Sequence, residues 1–231
     1  MKQKEILLNT QLANNNTPEM QETDIDHFSI NTETPLRDDA FVLDDDTKID
    51  LIANNFKEIM YLLGLDLEDD SLKDTPNRVA KMYVKEIFSG LNPANKPSTT
   101  LFENHYKYGE MLVEKNIQFY SNCEHHFVPI IGKAHIAYIS SGKVIGLSKL
   151  HRFVNFFARR PQVQERMTMQ IGKALQEALN TEDVAVILDA DHLCVSSRGV
   201  NDQTSSTITA FYGGVFQDDK KKAEFTSLLS I

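Results

Sequence analysis

The apolar positions of this chain change their period several times, and each change marks an element. Ile49, Ile52, Phe56, Ile59, Met60 and Leu63 recur at helical spacing and Gly64 follows as a stop, which predicts a first helix. A second is predicted from Thr75 as N-cap and Pro76 at the first helical position, with Val79, Met82, Tyr83 and Ile87 on one face and Gly90 closing it. These two read as a packed helical pair. The period then shortens: "MLVEKNIQFYS" (111–121) and "FVPIIGKAHIAYIS" (127–140) read as strands flanking a turn, with Pro129 making the start of the second irregular. "LSKLHRFVNFFARR" returns to helical spacing, with Ser148 as N-cap and a stripe of Leu150, Phe153, Val154 and Phe157. Past Pro161 a further helix carries Val163, Met167, Ile171, Leu175 and Leu179. "DVAVILDADHLCV" (183–195) and "SSTITAFYGGVF" (205–216) read as strands, and a short helix follows Asp218. Helices, a hairpin, two helices and two more strands in that order predict an α+β fold, an antiparallel sheet with helices packed on one face.

Composition adds a boundary. Residues 1–46 are rich in Asn, Thr, Asp and Glu without a sustained period, and hold 11 Asp/Glu against 3 Lys/Arg. Nearly all of the chain's net charge of −9 therefore lies there, and the stretch reads as an acidic, disordered or loosely attached extension. The domain proper is expected over 47–231, with the helical pair in 47–95 and the sheet-bearing core in 110–231. A near-neutral body can carry a local basic pocket but not the broad basic face of a nucleic-acid binder. No apolar run approaches the roughly 18–20 residues that span a bilayer, and "MKQKEILLNTQLANNN" has too short an apolar segment for a secretory signal. The expectation is a cytoplasmic protein with neither a membrane nor a nucleic acid as partner.

The candidate chemistry sits at "SNCEHHF" (121–127), which puts a thiol and two imidazoles within four residues of a chain that has only two cysteines. Cys123 with a histidine three residues on can converge on one ion, but zinc wants at least a third ligand. The other cysteine, Cys194, ends "DADHLC", where period-2 geometry would put His192 and Cys194 on one face of a strand. Two thiolates and an imidazole leave a fourth position open, the arrangement of a catalytic rather than a structural zinc. The bland alternative is two buried thiols acting as small apolar residues, with hydrogen-bonded histidines beside them. Spacing does not choose between His125 and His126 as the ligand. Either remaining imidazole, with His192, suits proton transfer near neutral pH.

A second group is "GLSKLHR" (146–152). Ser148, Lys149 and Arg152 cluster at a predicted helix N-terminus, where free N–H groups and the helix dipole favour an anion such as a polyphosphate. The plainer account makes Ser148 a cap and the cations a solvated face. Arg198 in "SSRGV" could add a cation from the metal side. Glu165 lies in the first turn of a helix, where acids are common for dipole reasons alone, or it is a carboxylate that accepts from the N–H groups of a guanine edge.

Taken together, "TPNRVAKMYVKEIFSGL" (75–91), "CEHHFVPIIGKAHIAYI" (123–139), "VIGLSKLHRFVNFFARRPQVQERMTMQI" (144–171), "DADHLCVSSRGV" (189–200) and "TSSTITAFYGGVF" (204–216) resemble the GTP cyclohydrolase I family. The resemblance runs from about residue 47 to the C-terminus. It implies Cys123, His126 and Cys194 as zinc ligands and His125 and His192 as catalytic histidines, with Ser148 a further proton handler. It also implies Ser148, Lys149, Arg152 and Arg198 as triphosphate contacts, and Gln164 and Glu165 as guanine readers; Arg78 and Lys81 could reach phosphate as well. The implied fold is the tunnelling fold, assembled as a decamer of two face-to-face pentamers with active sites between subunits. The implied reaction adds water to C8 of GTP, releases formate and rearranges the product to 7,8-dihydroneopterin triphosphate, the first step of pterin biosynthesis. A zinc base deaminase is disfavoured, because no H-x-E followed by P-C-x-x-C occurs.

Overall fold

The structure, a computed structural model, describes residues 33–229. Residues 1–32, most of the acidic extension, lie outside the described residues. From residue 33 the chain runs beside the body, where Arg160 Nη1 donates to Thr34 Oγ1 (3.3 Å).

Helix α1 spans Asp45–Leu62 and begins inside the charge run that composition assigns to the extension. Asp44 is its N-cap, accepting from the Thr47 amide at 2.8 Å, and Asp45 and Asp46 occupy the first turn, where the exposed amides favour negative charge. Helix α2 spans Thr75–Met82 and packs on α1. Its N-cap is Asp74 rather than Thr75, which lies inside the helix with Pro76 in the first turn. The helix then widens into a single π-helical turn, Tyr83–Ile87.

Gly90 serves as more than a helix stop. Its amide donates to the Arg159 carbonyl (2.9 Å) and its own carbonyl accepts from Arg160 Nε (2.8 Å). A Cβ on Gly90 would overlap the main-chain oxygen of Phe156. Gly90→Ala is therefore expected to destabilise the protein by about 1–3 kcal/mol, the range for overpacking against rigid backbone, seen as a lowered chemical-denaturation midpoint.

Among the described residues, seven strands follow: β1 (Leu101–Glu103), β2 (Leu112–Cys123), β3 (Pro129–Tyr138), β4 (Lys143–Ile145), β5 (Pro161–Gln162), β6 (Val184–His192) and β7 (Thr207–Tyr212). β1 and β4 form a small separate ribbon. The main sheet has the order β5-β2-β3-β6-β7 and is antiparallel except for the short β5, which runs parallel to the end of β2. The long helices α3 (Leu147–Ala158) and α4 (Gln164–Leu179) pack on one face. Alternation along β6 explains the two sides: Val184, Val186, Leu188 and Ala190 meet α3 and α4, while Ala185 and Ile187 turn to a second cluster with Phe216, Phe225 and Leu229. That second cluster is closed by the C-terminal helix α6 (Asp219–Leu229), so the opposite face carries a short helix as well.

In α3 the expected stripe of Leu150, Phe153, Val154 and Phe157 is buried. The N-cap is Gly146, with Ser148 already in the first turn, because the backbone becomes helical at Leu147. In α4 Met167, Ile171, Leu175 and Leu179 are buried, Val163 is the N-cap, and Asn180 closes the helix in the left-handed conformation. Among the described residues, no helix is long and apolar enough to cross a membrane.

Candidate active site

The site begins at the turn between β2 and β3. β2 ends at Cys123, whose amide donates to the Val128 carbonyl (2.9 Å), while the Phe127 amide donates back to the Cys123 carbonyl (2.8 Å). Phe127 takes a positive φ of 53°, which is what lets Glu124, His125 and His126 fit a tight turn ahead of Pro129. The second cysteine arrives through β3, which pairs with both neighbours. Asn122 lies opposite Pro129, and Ile130 lies opposite His192. Pairing thus brings positions 123 and 194 to one end of the sheet.

The strand expected to run through Cys194 stops at His192. Leu193–Ser196 form a helical turn, α5, so the two-residue alternation that would have set His192 and Cys194 on one strand face does not apply. The turn nonetheless delivers the thiol. One donor atom each from Cys123, His126 and Cys194 lies within 4.8 Å of the others, close to the spacing roughly 3–4 Å apart that tetrahedral bonds of about 2.0–2.3 Å require. Cys123 is buried, Cys194 half-buried and His126 exposed. Burial and the neighbouring Cys123 push the Cys194 thiol pKa up. A thiol whose ionisation is opposed by burial and a neighbouring sulfur is a donor that a divalent cation would deprotonate, so the chemistry fits a metal.

His125 sits beside this group, Nδ1 3.6 Å from Cys123 Sγ and Nε2 3.9 Å from Glu124 Oε1, with half of its side chain exposed. Arg198 donates from Nη1 to His126 Nε2 (3.0 Å). His192 hydrogen-bonds through Nε2 to Gln164 Oε1 (2.7 Å). Burial lowers its pKa, opposed by Glu165 and Asp191, which places the exposed Glu165 carboxylate within electrostatic reach of the same ring.

Other candidate residues lie elsewhere in the chain. Lys149 Nζ donates to Ser98 Oγ (3.2 Å). Arg152 lines a cavity of about 500 Å³ with Lys85, His151 and Arg159, and none of the metal-group residues lines it. Arg78 is turned to the Ser71 carbonyl (3.0 Å). Within one chain the structure gathers Cys123, His125, His126, Gln164, Glu165, His192, Cys194 and Arg198. It does not bring Ser148, Lys149 or Arg152 against them.

The motif reading passed over the support of the turn. Glu124 pairs with the buried Arg166 guanidinium of α4. Arg166 Nε donates to Gln162 Oε1 (3.2 Å), and Gln162 Nε2 donates to Gln170 Oε1 and to the Phe157 carbonyl (2.9 Å each). The Glu124 amide completes the lashing with a bond to the Gln162 carbonyl (3.0 Å). A signal was present in the sequence: Arg166 and Gln170 stand one turn apart on α4, each next to a member of its apolar stripe, and Gln162 of β5 precedes Arg166 by four residues.

The match with known proteins then decides the family. The GTP cyclohydrolase I family model matches residues 52–230. A GTP cyclohydrolase 1 of Flavobacterium johnsoniae is 58% identical over 217 residues, covering 94% of this chain and 97% of the relative.

The chain belongs to the GTP cyclohydrolase I family.

Similar proteins of the same name from Escherichia coli and Erwinia tasmaniensis are 56% and 55% identical over 188 residues, covering 81% of this chain and 85% of each relative. The segments that carry the cyclohydrolase I resemblance are thus set on the α+β architecture expected for them, the family's tunnelling fold.

Proposed function

We propose that this protein is a metal-dependent GTP cyclohydrolase, with zinc as the metal, that converts GTP and water to 7,8-dihydroneopterin triphosphate and formate. The observation that carries the reading is the convergence of Cys123, His126 and Cys194 beside two further imidazoles, in a chain that matches the cyclohydrolase I family over residues 52–230. Cys123, His126 and Cys194 would hold the zinc ion, which would supply Lewis acidity and lower the pKa of a water towards about 7. In this reading the half-exposed His125 delivers a proton to N7 of the purine as the C8–N9 bond breaks. His192, with Ser148, handles protons in the later opening of the ribose and ring closure. Glu165, exposed beside His192, accepts from the two N–H groups of the guanine edge, a planar target suited to a carboxylate.

Ser148, Lys149, Arg152 and Arg198 hold the triphosphate in this reading. Because the first three stand apart from the metal group within one chain, we infer that the site closes between subunits, in a decamer of two pentamers. Support comes from β7, an edge strand of the main sheet that carries the exposed Ile208.

The reading is tested by incubating the metal-replete, assembled protein with GTP and following formate and the fluorescence of the oxidised pterin, with and without a chelator. Both products are expected, and both are expected to disappear with chelator. Their absence from the untreated sample would refute the assignment.

A further inference from the structure

We propose that Gln164 is a positioning residue for His192, fixing which nitrogen of that ring carries a proton, rather than a reader of the guanine. The inference deepens the reading of His192 as a proton handler and rests on it for its catalytic consequence.

Gln164 opens α4 and is almost wholly buried, at 1% exposure. Its Nε2 donates to two main-chain carbonyls, Leu188 of β6 (3.2 Å) and Thr207 of β7 (2.8 Å). Carbonyl oxygens only accept, so the NH₂ end of the amide must face them, and the usual ambiguity between the two ends of a glutamine is removed. Both amide hydrogens are then occupied. The remaining oxygen faces His192 Nε2 at 2.7 Å. As that oxygen can only accept, Nε2 must bear a hydrogen, and in the neutral ring the lone pair is left on Nδ1.

The main chain is held equally firmly: Thr168 Oγ1 donates to the Gln164 carbonyl (2.8 Å) and shares a hydrogen bond with Thr209 Oγ1 (2.6 Å). A guanine reader needs an unoccupied donor or acceptor facing the ligand. Gln164 has no unoccupied amide hydrogen, its oxygen already accepts from the imidazole, and at 1% exposure the second lone pair of that oxygen has little access to a ligand.

Two measurements test this. The first needs no activity: magic-angle-spinning NMR of metal-replete protein labelled with ¹⁵N-histidine, with His192 identified by the signal lost in His192→Asn. A ring protonated at Nε2 is expected, and a ring carrying its proton on Nδ1 alone overturns the proposal whatever the enzyme does. The second is a kinetic cycle on GTP. Gln164→Glu and Gln164→Asn are expected to lower kcat by about 10²-fold, at the low end of the 10²–10⁴-fold that a positioned proton-transfer group contributes, with KM nearly unchanged. In a His192→Ala background the same changes should cost less than about twofold, as expected of residues that act as one unit. Multiplicative losses, or a raised KM with kcat held, would return Gln164 to guanine recognition. Wild-type protein that releases no formate would instead sink the cyclohydrolase reading and leave the NMR result standing.

Discussion

Cys194→Ser is expected to lose bound metal and ring-opening activity together. The thiol of Cys194 is one of three donors gathered within 4.8 Å, and a serine hydroxyl at that position neither ionises near neutral pH nor matches the softness of a thiolate. Two protein ligands, Cys123 and His126, would remain, below the three that a catalytic zinc site needs. The loss of affinity should exceed the 10–100-fold that removal of an outer-shell partner typically costs, leaving desalted protein essentially metal-free by elemental analysis. His125→Ala is the contrasting control. It should retain one metal per chain while formate release falls by about 10²–10⁴-fold, the contribution of a general acid. A Cys194→Ser protein with full metal content, or a His125→Ala protein without it, would show that the donor set has been misassigned.

Arg166→Met is expected to cost about 3–5 kcal/mol of stability, the range for removing one partner of a buried ion pair. The Arg166 side chain is 4% exposed and that of Glu124 23% exposed. The substitution would leave the Glu124 carboxylate half-buried without its counter-charge and take a donor from Gln162, which is fully buried. Because Glu124 lies between Cys123 and His125, its release should also slacken the metal-binding turn, lowering metal affinity about 10–100-fold. Denaturant titration and chelator competition read the two effects separately. Adding Glu124→Gln to Arg166→Met should recover part of the stability, since the uncompensated charge is then gone. A single-variant loss below about 1 kcal/mol would mean that the pair does not clamp the turn.

Much of this architecture was legible in the order of residues. The stripes of α3 and α4 and the alternation of β2, β3 and β6 arise from local rules, 3.6 residues per turn against two, and burial follows them closely at Phe153, Met167, Ile171 and Leu188. Boundaries were less legible. Thr75 and Ser148 have the chemistry of N-caps, yet the backbone turns helical one or two residues earlier, at sites where Asp74 and Gly146 make no side-chain cap bond. Packing of the helices on their neighbours outweighed capping preference there. The two-residue strand β5 exists only because Asn122 and Cys123 lie beside it. The end of β6 was misjudged for a related reason, since its ladder with β3 stops at the Ile130–His192 pair and the backbone beyond is released into a helical turn.

The site divides along the same line. Residue identity and spacing alone determined that Cys123, the paired histidines and Cys194 with His192 could supply metal and proton chemistry, because donor type is a property of each side chain. Tertiary structure decided which of them meet: β3, paired on both sides, carries ends 71 residues apart to one place. It likewise decided that Arg166 supports the turn and that Gln164 faces His192. Those roles depend on burial and on where every polar atom finds a partner, and such non-local closure has no period that can be read along a chain.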